Sequence, residues 1–303
     1  MGNTPFGFLQ TFGGIRLRYG SWPHTGRTHQ GAVVVLSGRT EFMEKYFETI
    51  GEINARGFDA FSLDWRGQGF SDRMLADPTR GYVQSFSYYV DDLALYLDKI
   101  VRPNCSGPLL VLAHSMGAHI VLHYLHKFPG GIDKAVLLSP MINIRTRPIP
   151  SRIAKWYCRV QARLGNAHRN IPALRRKDSF TGSFANNWLT HDATRFYNVQ
   201  RLLRENPQLL VSGVTYGWLA ASFAAIDTIR QPGFAQRITT PMLVVTAGKD
   251  RVVNNDAIRR FVDHLPAHES VRIEGAYHEI LQERVALRTQ FWHAFDRFVR
   301  HSH

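Results

Sequence analysis

The sequence predicts an α/β protein with a mostly parallel central sheet, helices on both of its faces and one helical insertion. Short apolar runs bounded by Gly, Pro or Asp recur toward both ends of the chain, as expected of parallel strands buried on both faces. Between them lie segments with apolar residues at three- and four-residue steps, the helical period. From about Met141 to Ala235 the strand-like runs stop and the helical pattern continues alone.

In chain order, Phe8–Phe12 and Ile15–Tyr19 flank Gly13-Gly14 and read as a hairpin at the sheet edge. Fully buried strands are expected at Ala32–Leu36, Asp59–Asp64, Pro108–Ala113, Lys134–Leu138, Pro241–Thr246 and Ser270–Ile273. Helices are expected at Phe42–Arg56, Ser85–Val101, Met116–Phe128, Asn255–Leu265 and Glu283–Arg300. Strands separated by helices imply right-handed crossovers. The chain thus divides into a first part of the core (1–140), an inserted helical cap (141–235) and a second part of the core (236–303). The cap helices are expected at Ile153–Leu164, Arg195–Glu205 and Trp218–Ile229. An insertion after a sheet strand sits over the carboxyl ends of the strands, where open α/β sheets bind ligands.

The 303 residues, 44% hydrophobic and 20% charged, suit an ordered globular chain. The amino terminus lacks a basic segment followed by an apolar one, and no run approaches ~18 apolar residues. A cytoplasmic protein is expected, with peripheral contact at the inner membrane kept open. Phe6 stands where an acylation signal needs Ser or Thr, so no myristoyl anchor is expected. Cys105 and Cys158 are too few for a disulfide framework and have no metal-like spacing. The net charge of +13 is uneven: thirteen Lys and Arg lie between Arg145 and Arg204, against Asp178 and Asp192. Such a field attracts an anionic membrane face, a charged headgroup or nucleic acid. A merely soluble basic surface accounts for it equally, and no nucleic-acid-binding motif accompanies it.

The chemistry is concentrated in three places. Leu109–His119 is an apolar strand, a small-X-Ser-X-small turn and a helical start, with Ala113 and Gly117 as the small residues around Ser115. Such a turn holds the serine in a strained conformation with its hydroxyl presented for attack. A serine hydroxyl is a poor nucleophile unless a base takes its proton, and the base needs a carboxylate to orient it. Asp250 follows the strand ending at Thr246, and His278 follows the strand ending at Ile273. Backbone N–H donors for the oxyanion are expected from Met116, directly after the serine, and from Arg39 in the loop after Ala32–Leu36. Among competitors, Asp256 falls at a helix start and reads as a capping carboxylate. Glu279 adjoins the base and points elsewhere. His114 reads as structural, and His119 with His123 as surface or packing residues without a third metal ligand.

The blocks Leu36-Ser37-Gly38-Arg39-Thr40-Glu41, Asp64-Trp65-Arg66-Gly67-Gln68-Gly69-Phe70-Ser71, Ala113-His114-Ser115-Met116-Gly117, Gly248-Lys249-Asp250 and Tyr277-His278-Glu279 resemble those of the lysophospholipase L2 and monoacylglycerol lipase group of α/β-hydrolases. Ala113 departs mildly, since Gly is usual there. The Gly-Arg-Thr-Glu loop, in place of the His-Gly of the monoglyceride lipases, leans toward the lysophospholipases. The resemblance implies an α/β-hydrolase fold and acyl-ester hydrolysis without cofactor or metal. It also implies a triad of Ser115, Asp250 and His278, oxyanion donors at Arg39 and Met116, and a structural role for Asp64–Ser71. A lysophospholipid substrate accounts for the triad and the basic stretch together, whereas a monoacylglycerol or small ester leaves the charge unexplained. A catalytically idle binding protein and a peptidase remain the rival classes. Trp156, Trp188, Trp218, Leu219 and Phe223 line an acyl tunnel on one view and are plain core on the other.

Overall fold

A computed structural model describes residues 5–146, 149–172 and 182–300. Among them are the strands β1 (Phe6–Gln10), β2 (Arg16–Trp22), β3 (Gly31–Leu36), β4 (Phe58–Leu63), β5 (Leu109–His114), β6 (Lys134–Leu138), β7 (Met242–Ala247) and β8 (His268–Ile273). They form one sheet in the order β1-β2-β4-β3-β5-β6-β7-β8. The pairs β1–β2 and β2–β4 are antiparallel, and from β4 to β8 every pair is parallel.

Strand side chains alternate between the two faces, and the core divides accordingly. Val33 and Val35 of β3, Leu110 and Leu112 of β5 and Val136 and Leu138 of β6 share one layer. There they meet Ile50 and Ile53 of α1 (Phe47–Ala55) and Phe291, Phe295 and Phe298 of α8 (Val285–Arg300). Ala32, Val34, Leu36, Val111, Ala135 and Leu137 face the other way. They pack with Tyr89 and Leu93 of α2 (Ser87–Tyr96), Val121 and Leu122 of α3 (Met116–Lys127) and Ile258 of α7 (Asn255–Val262). Each large apolar side chain buried in this way stabilises the fold by about 1.5–3 kcal/mol relative to leaving it exposed.

Four local expectations are corrected. The Ser270–Ile273 strand begins at His268 and alternates between exposed and partly buried residues, because β8 is the sheet edge with one face toward solvent. Phe42–Arg56 is a 3₁₀ turn at Met43–Tyr46 before α1, not one continuous helix. The hairpin strands shift, β1 ending at Gln10 and β2 running on to Trp22, where Trp22 pairs with Ala60 of β4. The cap of α7 is Asn254, whose side chain accepts from Ala257 N at 3.2 Å, and Asp256 sits within the first turn.

Between β6 and β7 the described residues add no strand to the sheet and carry α4 (Ser151–Gln161), α5 (Ala193–Glu205) and α6 (Tyr216–Ile229). Glu279 N donates to Leu189 O at 2.9 Å, Thr190 Oγ1 to Gln282 O at 2.6 Å, and Ser212 N to Thr79 O at 2.7 Å. These bonds tie the insertion to loops leaving the carboxyl ends of β8 and β4, so it lies over that end of the sheet. Trp218, Leu219 and Phe223 are buried, whereas Trp156 is 64% exposed on the outer side of α4 and is no tunnel residue. Trp188 is half-buried. Arg147, Arg175, Arg176, Lys177 and Asp178 of the basic stretch lie outside the described residues. Among the described residues no helix is long and apolar enough to cross a membrane.

Candidate active site

Three loops converge where β5, β7 and β8 end. At the end of β5 the chain turns directly into α3, and Ser115 at the turn takes φ 49°, ψ −108°. Such backbone costs of order 1–3 kcal/mol and persists only when its surroundings impose it. Here Ser115 N donates to Leu138 O at 2.9 Å, and Ser115 O accepts from His119 N and Met141 N, both at 3.1 Å. A Cβ on Gly117 would stand 2.6 Å from Ser37 O and 2.8 Å from Leu36 O, so glycine alone lets α3 begin this close to β3. Ala113, two residues before the serine, is accommodated fully buried.

Asp250 is buried in the loop after β7, where its Oδ1 accepts from Val252 N at 2.8 Å and Val253 N at 3.0 Å. Those two bonds aim Oδ2 at His278 Nδ1, 2.7 Å away. The other ring nitrogen, Nε2, lies 3.1 Å from Ser115 Oγ. All three residues are 7% exposed or less. Burial pushes the Asp250 carboxyl up, but the facing His278 and the bonds from His278, Val252 and Val253 prevail and hold it below its ordinary value. An ionised Asp250 favours the tautomer with the proton on Nδ1, which leaves the Nε2 lone pair to accept from the serine.

The loop after β3 is clamped around Arg39. Gly38 N donates to Glu41 Oε2, and Thr40 N donates to Gln68 Oε1 at 2.9 Å, with Thr40 at φ 60°. Gln68 Nε2 returns to Gly38 O at 2.9 Å, and Trp65 Nε1 donates to Ser37 O at 2.9 Å. The Asp64–Ser71 loop therefore braces this segment, and it is braced in turn: Asp64 accepts from Met43 N and Phe70 N, both at 2.9 Å. The Arg39 side chain reaches into the insertion, donating to Gly213 O and lying over the Trp218 ring at 4.8 Å. Met116 is the first residue of α3, where a backbone N–H has no acceptor within the helix.

Of the competing residues, His114 and Glu279 lie beneath the site, facing Glu41 and Lys45, and the others take no part in the Ser115–His278 contact. Asp256 pairs loosely with Arg259 on the surface. His119 is fully buried, not superficial; its Nδ1 lies 2.8 Å from Met141 O and its Nε2 3.1 Å from His123 Nε2. Burial pushes His123 down to about 4, so the pair is neutral packing. Among the described residues no group of His, Cys, Asp and Glu could hold a metal ion. Sequence reasoning missed the partners of Glu41, which binds Lys45, Tyr46 and His114 beneath the site. The only advance signal was the four-residue spacing of Glu41 and Lys45.

A family model described as serine aminopeptidase, S33 matches residues 27–285. The chain belongs to that family. This S33 chain falls in its lysophospholipase and monoacylglycerol lipase-like group of α/β-hydrolases, and is a hydrolase of the lipase/esterase type. It is 36% identical over 282 residues to lysophospholipase L2 of Escherichia coli strain K12, covering 90% of this chain and 82% of that one. With the monoacylglycerol lipase of Mycolicibacterium smegmatis it shares 29% over 279 residues, covering 89% of each. In fold, it is similar to a soluble variant of monoglyceride lipase from Saccharomyces cerevisiae, with TM-score 0.76, 16% identity, and coverage of 97% of this chain and 94% of that one.

Proposed function

We propose that the protein is a serine ester hydrolase that releases a fatty acid from lysophospholipids. The observation that carries this reading is the continuous chain from Asp250 Oδ2 through both nitrogens of His278 to the hydroxyl of a strained Ser115. Neutral His278 takes the Ser115 proton as Oγ attacks the acyl carbonyl, and Asp250 stabilises the imidazolium that forms. The N–H groups of Met116 and Arg39 bind the oxyanion. Collapse expels the alcohol, which takes the proton from His278, and leaves an acyl-enzyme. Water attacks that ester with His278 again as base; the proton then returns to Ser115 and the fatty acid departs.

The substrate class rests on two supports: the likeness to a lysophospholipase L2 and the basic insertion. In this reading residues 141–235 act as a cap. Helix α4 exposes Ile153, Trp156 and Tyr157 beside Arg152 and Arg159, a combination suited to peripheral contact with an anionic bilayer face. Fatty-acid release is to be measured from lysophosphatidylcholine, lysophosphatidylethanolamine and monoacylglycerol of one chain length, with Ser115→Ala as blank. Preference for the lysophospholipids is expected; preference for monoacylglycerol, or for short soluble esters, would move the protein to the other acyl-ester hydrolases.

A further inference from the structure

Beneath the Ser115–His278 pair lies a group of ionisable side chains that acyl transfer leaves unused. Glu41, Lys45, Tyr46, His114 and Glu279 are each 5% exposed or less. They come from the segment after β3, the last residue of β5 and the residue following His278. Lys45 Nζ is 2.7 Å from Glu41 Oε1 and 2.7 Å from Glu279 Oε1. Glu41 Oε2 accepts from Tyr46 OH at 2.7 Å, lies 3.1 Å from His114 Nδ1, and accepts from Gly38 N in the loop that carries Arg39. His114 Nε2 in turn lies 3.3 Å from the main-chain oxygen of His278, with the two rings 4.7 Å apart.

Two acceptors, a carboxylate and a carbonyl, flank the two ring nitrogens of His114, and only the imidazolium has a donor for each. Charge balance asks for the same state. With Glu41 and Glu279 ionised, a protonated His114 gives two carboxylates and two cations, and a neutral His114 leaves a net buried anion, which is costly; burial and Glu41 push the Glu279 carboxyl above its ordinary value, and Lys45 opposes them. Burial alone pushes His114 down, but Glu41 and Glu279 outweigh it and hold the ring above its ordinary value. Burial likewise raises Glu41, and Lys45 with His114 more than reverse this.

We infer that Glu41 and His114 form a bridge, with His114 kept as imidazolium, that locks the oxyanion loop and the base-bearing loop in one relative position. The inference rests on reading Ser115 and His278 as nucleophile and base. Its path is continuous: Gly38 N–H to the Glu41 carboxylate, to His114, to the His278 carbonyl. Misplacing reacting groups by ~1 Å costs about 100-fold in rate, so tying the two loops to one carboxylate has a direct catalytic consequence. The bridge has an electrostatic consequence as well. The charged groups facing His114 are Glu41, Lys45, Glu279 and, when protonated, His278, with the Tyr46 hydroxyl beside them. Loss of the His114 charge changes the field on the groups around it. His114 is thus a positioning residue.

The test uses the full chain with a short soluble ester, active sites being counted with a serine-directed organophosphonate. His114→Gln keeps a donor near the His278 carbonyl without the charge, and Glu41→Gln keeps the shape without the carboxylate. For both variants kcat is expected to fall about 10- to 100-fold with KM nearly unchanged. In His114→Gln the acid limb of the kcat/KM profile is expected to move, since a charge beside the site is then gone. Folded variants with wild-type kcat and an unmoved acid limb would overturn the bridge. Where a variant fails to fold, the wild type supplies an independent reading: ¹⁵N NMR of His114 is expected to show both ring nitrogens still protonated at a pH above the ordinary histidine value. A neutral His114 there overturns the inference. A wild type whose His114 is cationic but which cleaves no ester through Ser115 removes instead the catalytic reading on which the bridge stands.

Discussion

The sheet and the insertion between β6 and β7 use their side chains in opposite ways. In β3 and β5 every residue is buried, and the loops leaving those strands are held at several points by main-chain and side-chain bonds. Helix α4 shows Ile153, Trp156 and, just beyond it, Leu164 to solvent at 55%, 64% and 69%, among Arg152, Arg159 and Arg163. A buried residue answers to its neighbours and has one packing; an exposed apolar residue among cations answers to what the protein meets. Ser115, Asp250 and His278, the proposed reacting groups, are therefore lodged where burial imposes geometry. In the proposed function, substrate capture falls to the exposed, basic face of the insertion.

Substitutions on the two sides sharpen this contrast. Asp250→Asn should leave the fold intact and lower kcat on a short soluble ester about 10⁴-fold, through loss of the correct histidine tautomer; a loss under about tenfold would remove Asp250 from the account. Gly117→Ala, whose methyl meets two carbonyl oxygens of the neighbouring strand end, should destabilise by about 1–3 kcal/mol, read from the urea midpoint. An unchanged midpoint would show that the turn at Ser115 is looser than its contacts imply. Trp156→Ser, at the exposed face, should alter stability by no more than about 0.5 kcal/mol and spare turnover of the soluble ester. Its binding to anionic vesicles should weaken about tenfold, the worth of one buried aromatic side chain. Equal vesicle binding would make the basic, apolar face of α4 an ordinary surface and erase the contrast.

How far the sequence was legible follows the same division. The buried parallel strands were readable to within a residue or two because β-branched and leucine runs between Gly, Pro and Asp have few other uses. Ser115 and Asp250 were readable because each follows such a strand and His278 because it follows the next strand-like run, and the structure brings all three within hydrogen-bonding reach. The edge strand β8 was misread as buried, since Ser270–Ile273 is too short to reveal its alternation. The α7 cap was assigned to Asp256, although an Asx residue two positions earlier, Asn254, has the extended backbone that capping needs. The Glu41–His114 contact joins residues 73 positions apart, and no local pattern announces it. Nor could helical period tell Trp156, which faces solvent, from Trp218, which is core: both sit in amphipathic or apolar helices and only packing separates them.

The most direct test of the account is to treat the purified protein with a fluorophosphonate and locate the adduct by peptide mass. One adduct on the Ser115 peptide is expected, formed much more slowly in His278→Ala and absent from Ser115→Ala. Labelling on a different serine, or equal labelling of the Ser115→Ala protein, would contradict the assignment of Ser115 as the nucleophile and with it the catalytic reading of the whole site.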